Sequence, residues 1–173
     1  MQALETRRLR LRAWRPGDAE AAFAIDSDPE VVRCLGRPPT PDMAAERRML
    51  LERIERNRLW ALRGLGSWAL VEQATGDVVG NMLLKPLPPT TDDIEVGWHL
   101  ARRVWRRGYA SEAARALLRY GFETLRLDEI LAVVDPANER SAAVARRVGM
   151  VWRERTTRYY DGIALDLFAI TRE

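Results

Sequence analysis

Arg102-Arg103-Val104-Trp105-Arg106-Arg107-Gly108-Tyr109-Ala110-Ser111-Glu112-Ala113 is the stretch whose reading decides the fold. It follows an apolar, strand-like run, Ile94-Glu95-Val96-Gly97-Trp98-His99-Leu100, and leads into a stretch of helical period. Four arginines (Arg102, Arg103, Arg106, Arg107) crowd the junction, while Gly108 and Ala110 keep its tip small. A strand that opens through a small-residue turn into a helix leaves unpaired backbone N–H groups at the helix start. Those groups, with the positive end of the helix dipole, form an anion site. Flanking guanidinium groups add charge-assisted hydrogen bonds to a phosphate. The stretch therefore points to a phosphorylated ligand.

Outward from this junction the chain alternates elements without an internal repeat. Upstream, Arg8 to Trp14 alternates arginine with apolar residues as a half-buried strand does, and Asp18 caps a helix over Ala19 to Ile25. Asp28-Pro29 restarts a short helical turn reaching about Leu35. Thr40 as cap, with Pro41 at the first helical position, predicts a helix to about Asn57. Trp68 to Val71 and Val78 to Leu84 read as strands joined by the turn Thr75-Gly76-Asp77. Downstream, a helix is expected from Tyr109 to about Thr124 and a strand buried on both faces over Ile130 to Val134. A helix over Ser141 to Val148 is stopped by Gly149, and two last strands flank Asp161-Gly162. This order predicts one α/β (α+β) domain over residues 1–173, a mixed sheet with helices on its faces.

Composition narrows the function. At 173 residues and 47% hydrophobic, the chain has room for one real core, and 31% charged residues exclude a membrane-embedded protein. The N-terminus carries no apolar signal core, so a cytoplasmic location is expected. Cys34 and His99 are the only cysteine and histidine, which leaves no cysteine or histidine cluster for a metal; none is expected. Formal net charge is only +3, and the single dense basic cluster is the proposed phosphate turn, so nucleic-acid binding is not expected. Lys85 is the sole lysine among 28 basic residues.

Three motifs in order, Glu95 to Leu100, Trp105 to Ala113, and Asn138-Glu139-Arg140-Ser141 with Val148-Gly149-Met150, resemble the GNAT superfamily of acyl-CoA-dependent N-acyltransferases. The likeness is strongest to its RimJ/RimL-like branch of ribosomal-protein N-terminal acetyltransferases and extends over nearly the whole chain. It implies a mainly antiparallel central sheet with one splayed strand pair that holds coenzyme A. It also implies acetyl-CoA as cosubstrate and an amine acceptor, a protein N-terminus or a small molecule. By position, Trp98, His99 and Leu100 would flank the pantetheine arm, with backbone offered by Trp98 and Leu100. Trp105, Arg106, Arg107, Gly108, Tyr109, Ala110 and Ser111 would cradle the pyrophosphate, and Asn138 and Ser141 would contact the cofactor. The general pattern has Arg or Gln where this chain has Trp105 and often Gly where it has Arg106.

Catalysis by such a protein needs a neutral amine and a tolerable thiolate. A protein α-amino group is already neutral in roughly one molecule in eight at pH 7, whereas a lysine is neutral in fewer than about one in a thousand. Glu95, on the strand feeding the turn, is the candidate base; a one-residue register shift would turn it to the other face. The tyrosine that many superfamily members use to protonate the thiolate is replaced by Ala145, and Ser141 is the candidate in its place. Ser141 or Asn138 also serves as a helix cap. Tyr159 and Tyr160 face either the acceptor cleft or solvent at a hairpin end. A lone cysteine without an activating partner disfavours a covalent enzyme intermediate. The expected activity is direct acetyl transfer by a monomer or homodimer; the alternative is a catalytically weak CoA-binding regulatory module.

Overall fold

The computed structural model describes residues 2–172. Eight strands form one sheet in the order β1-β2-β3-β4-β5-β6-β8-β7. They are β1 (Leu4–Glu5), β2 (Leu9–Ala13), β3 (Gly66–Glu72), β4 (Val78–Pro86), β5 (Ile94–Leu100), β6 (Glu129–Val134), β7 (Val151–Thr156) and β8 (Leu165–Thr171). Five helices connect them: α1 (Ala19–Asp26), α2 (Pro29–Val32), α3 (Met43–Ala61), α4 (Tyr109–Arg119) and α5 (Glu139–Arg147). Every pairing is antiparallel except β5 with β6, which agrees with the mixed sheet expected from the element order and the mainly antiparallel one implied by the resemblance.

Helices cover both faces. Asn57 of α3 bonds the backbone of Ser67, which shares a face with its cross-strand partner Leu83. Gly121, just beyond α4, abuts Leu84, one residue further along β4 and so on the opposite face. The main core fills the α4 side and the space under α1 and α3, with Trp68, Leu70, Met82, Leu84, Val96, Leu117, Ile130 and Phe168 almost without exposure. A smaller cluster, Leu87, Leu131, Tyr159, Leu167 and Ala169, covers the far half of the other face under loops rather than helices.

Several boundaries differ from the sequence reading. The third helix begins at Met43, not after Thr40, because Asp42 accepts from Ala45 N at 2.7 Å. Thr40 is buried, and its own N–H is spent on Asp26 O at the end of α1. The last large helix begins at Glu139, capped by Asn138 rather than Ser141. Strand β1 is an addition; two residues of strand carry no periodicity to read. The helix after the turn does run to Thr124, its last five residues as a π-helical turn.

Parallel strands β5 and β6 share a single register pair, Glu95 with Leu131, near the start of both. Past that vertex they part, while β5 stays paired to β4 through to Leu100. The sheet is therefore split by a wedge that opens toward the Trp105–Gly108 turn.

Candidate active site

The wedge leads into a cavity of about 500 Å³, a size suited to a small-molecule ligand. Its walls come from α2 and the loop after it, the end of β5, the turn before α4, and the first turns of α4 and α5. Trp98, His99 and Leu100 line one side. Trp105, Arg106, Gly108, Tyr109, Ala110 and Ser111 line it from the turn and α4, and Asn138 and Ser141 line it from the start of α5.

The turn has the backbone an anion site needs. Gly108 caps α4 with φ +78° and no side-chain cap bond, so the first N–H groups of the helix keep no side-chain partner. Arg106 is also left-handed, φ +64°. Left-handed residues set between ordinary ones turn successive N–H groups to one side, a concave nest for an anion. A left-handed backbone suits glycine, and an L-residue such as Arg106 is strained there by about 1–2 kcal/mol.

Individual side chains refine the sequence reading. Arg107 is absent from the cavity wall; its guanidinium turns to Glu72 at 3.5 Å. The Tyr109 hydroxyl donates to the same Glu72, so this residue serves the cavity by its backbone. Trp105 Nε1 donates to Leu100 O at 2.8 Å, occupying one of the backbone groups expected to meet the pantetheine arm. Arg140 stacks 4.3 Å over the Trp105 ring. Asn138 Oδ1 accepts from Ser141 N at 3.1 Å, which fixes the first turn of α5 beside the cavity.

Glu95 lies at the vertex, 4% exposed and outside the cavity wall. Its Oε1 pairs with the Lys85 ammonium and accepts from the Tyr160 hydroxyl. Burial, and then the charge of Glu95 and the bond to it, push the Tyr160 phenol far above its ordinary range, so it remains a donor. Tyr159 is likewise pushed up to about 12 by burial and by its bond to Asp93.

His99 joins the cavity to a second buried cluster. Its Nε2 lies 3.3 Å from Asp26 Oδ1, and Asp26 also takes Arg37 and Arg53, each at 2.8 Å. Burial opposes ionisation of Asp26, yet His99 and the two arginines win and hold the carboxyl well below its usual 3.8. Glu46, in the same cluster, has no exposure and no hydrogen bond to either carboxylate oxygen.

Sequence reasoning missed two sets of residues. Val31, Cys34 and Leu35 form part of the cavity wall; the Asp28-Pro29 restart was the only signal that a strap crosses there. Lys85 was noticed as the sole lysine but not linked to Glu95, which needed the β4–β5 register.

A protein-family model described as "Acetyltransferase (GNAT) domain" matches residues 8–151. The chain belongs to the GNAT acetyltransferase family. It is 34% identical to the FsC-acetyl coenzyme A-N(2)-transacetylase of Aspergillus fumigatus, over 91% of this chain and 68% of that protein. It is 27% identical to YdaF of Bacillus subtilis, named for ribosomal N-acetylation, over 91% of this chain and 86% of that one. A crystal structure of an acetyltransferase from Agrobacterium tumefaciens superposes with a TM-score of 0.82 at 28% identity, covering 99% of this chain and 95% of that one. The family uses acetyl-CoA as cosubstrate, and the protein is an acetyl-CoA-dependent acyltransferase. Among the described residues no helix is long and apolar enough to cross a membrane.

Proposed function

We propose that the protein transfers an acetyl group from acetyl-CoA directly to a primary amine, with Glu95 as base and Ser141 beside the departing sulfur. The observation that carries this reading is the wedge: one shared pair at Glu95–Leu131, then a cavity reaching a helix start with no side-chain cap bond. Five residue steps along β5, ~17 Å, separate Leu100 from the vertex. A diphosphate seated on the turn therefore extends a pantetheine arm along β5 with its thioester end near Glu95. The residues present fit this ligand: backbone N–H groups at Gly108 to Ser111 for the phosphates and the unpaired edge of β5 for the amides.

Bound acetyl-CoA supplies an activated carbonyl with a thiolate leaving group. The protein holds that carbon against the amine, and such orientation alone contributes about 7–11 kcal/mol in well-aligned systems. The amine nitrogen forms the new C–N bond as the C–S bond breaks and its electron pair passes to sulfur. Glu95, directly or through water, takes the ammonium proton, and the Ser141 hydroxyl hydrogen-bonds the thiolate. A thiol of pKa about 8.5 needs little more help to leave. The motifs' resemblance to the RimJ/RimL-like branch, with the likeness to YdaF, makes a protein N-terminal amine the first acceptor to try. The name of the fungal relative adds small-molecule amines to the panel.

Calorimetry with coenzyme A should give one site per chain, and acetyl-CoA should release thiol only when an acceptor amine is added. Tight binding with no turnover on peptides, polyamines or aminoglycosides would instead identify a CoA-binding regulatory module. Absence of heat with coenzyme A would overturn the site altogether.

A further inference from the structure

The surroundings of Glu95 say how a buried carboxylate at the vertex is aimed. Lys85 stands directly across from it in the β4–β5 register. Tyr160 reaches it from the loop between β7 and β8. The Lys85 ammonium contacts Glu95 Oε1, Tyr160 Oη at 2.9 Å and Pro86 O at 3.4 Å. Those contacts match its three protons, which radiate from one atom. An arginine spreads five donors over a planar fork and suits a bidentate carboxylate instead. The single lysine in a chain with 28 basic residues thus sits where a point donor is required.

The Tyr160 loop is held in an unusual backbone. Tyr160, Asp161 and Gly162 have φ of +48°, +58° and +84°, three left-handed residues in a row of which only the last is glycine. Strain of that kind persists only where surrounding contacts impose it, and it concentrates at functional sites. Here the imposed geometry delivers one hydroxyl to one carboxylate oxygen. Both the lysine and the tyrosine grip Oε1.

We infer that Lys85 and Tyr160 are positioning residues, which hold Glu95 by Oε1 and so present Oε2 to the amine arriving at the vertex. This rests on the assignment of Glu95 as base and deepens it. Misplacing a reacting group by about 1 Å costs up to ~100-fold in rate, so a glutamate released on one side loses much of its use. Neither residue lines the cavity that would hold the diphosphate and pantetheine arm, so their loss is expected to act on the rate and not on acetyl-CoA affinity.

The test is a double-mutant cycle read as thiol release from acetyl-CoA with the fastest amine of the panel. Tyr160→Phe and Lys85→Met should each lower kcat about tenfold, with KM for acetyl-CoA unchanged. In a Glu95→Gln background the same substitutions should cost less than about twofold, because the group they aim is gone. An equal loss in both backgrounds, or full kcat in Tyr160→Phe, overturns the positioning role. Full kcat in Glu95→Gln instead removes the base assignment beneath it, so the two failures are distinct. A second measurement needs no acceptor: lysine labelled at Cε and Nζ gives one NMR signal, that of Lys85. The signal should move on Tyr160→Phe and on Glu95→Gln; a signal like that of free lysine, unmoved by either, also overturns the inference.

Discussion

Two glutamates are buried on the side of the sheet that α3 covers, and the fold treats them in opposite ways. Glu95 receives an ammonium and a phenol on one oxygen. Glu46, wholly buried, receives no hydrogen bond on either. The nearby guanidinium groups of Arg37 and Arg53 are drawn to Asp26 instead. A buried carboxylate that is paired is held in a fixed direction; one left unpaired carries a desolvation cost with no compensating contact. The contrast separates a carboxylate built for use from one that the packing merely tolerates.

The largest effect should come from removing the served one. Glu95→Gln keeps the shape of the side chain and is expected to lower kcat by about 10²–10⁴-fold, the usual worth of a general base, with acetyl-CoA affinity little changed. Steady-state thiol release against calorimetric affinity separates the two quantities. A variant that loses both in parallel would make Glu95 a structural residue and dissolve the contrast.

Asp26 gives the next effect and bears on stability. Asp26→Asn leaves Arg37 and Arg53 facing a neutral group in a buried site, a change that costs about 3–5 kcal/mol when a buried pair is broken. For a chain of this length that is a fall of roughly 6–20 °C in Tm, measurable by thermal unfolding. A loss under about 1 kcal/mol would mean that Glu46 takes over the arginines, and the two buried acids would then be interchangeable rather than contrasted.

The fold was legible because its signals are local and periodic. Leu9 and Leu11 alternate with arginines along β2, and both are fully buried. Thr75-Gly76-Asp77 turns where its glycine requires it, at φ +77°. The turn before α4 could be read as an anion site because backbone does the work there, and Gly108 announces the left-handed cap. Arg106 gave no such warning, since its left-handed conformation is imposed by the turn and not by its own preference. The relations among Glu95, Lys85 and Tyr160, and among Asp26, Glu46 and His99, were out of reach. They join residues 10 to 75 positions apart through strand register and loop geometry, which periodicity does not encode.

The smallest effect is a gain. Burial and the charge of Asp26 push the Glu46 carboxyl above its usual 4.5, and the charges of nearby Arg53 and Arg37 offset only part of this. An acid whose folded pKa exceeds its unfolded value binds its proton more tightly when folded. Folding is therefore free of the penalty below about 4.5, loses stability as pH rises from there through the raised value, and carries the full penalty above it. Asp26, held below 3.8, has the opposite sign: its contribution is present at neutral pH and is lost only as acid protonates it. Glu46→Gln should accordingly raise stability by about 1 kcal/mol at pH 8, roughly 2–4 °C in Tm, with the gain shrinking toward zero as pH falls below about 4.5. A gain independent of pH would trace to packing and not to charge. A loss at pH 8 would show that Glu46 has partners after all, and the two glutamates would no longer differ in kind.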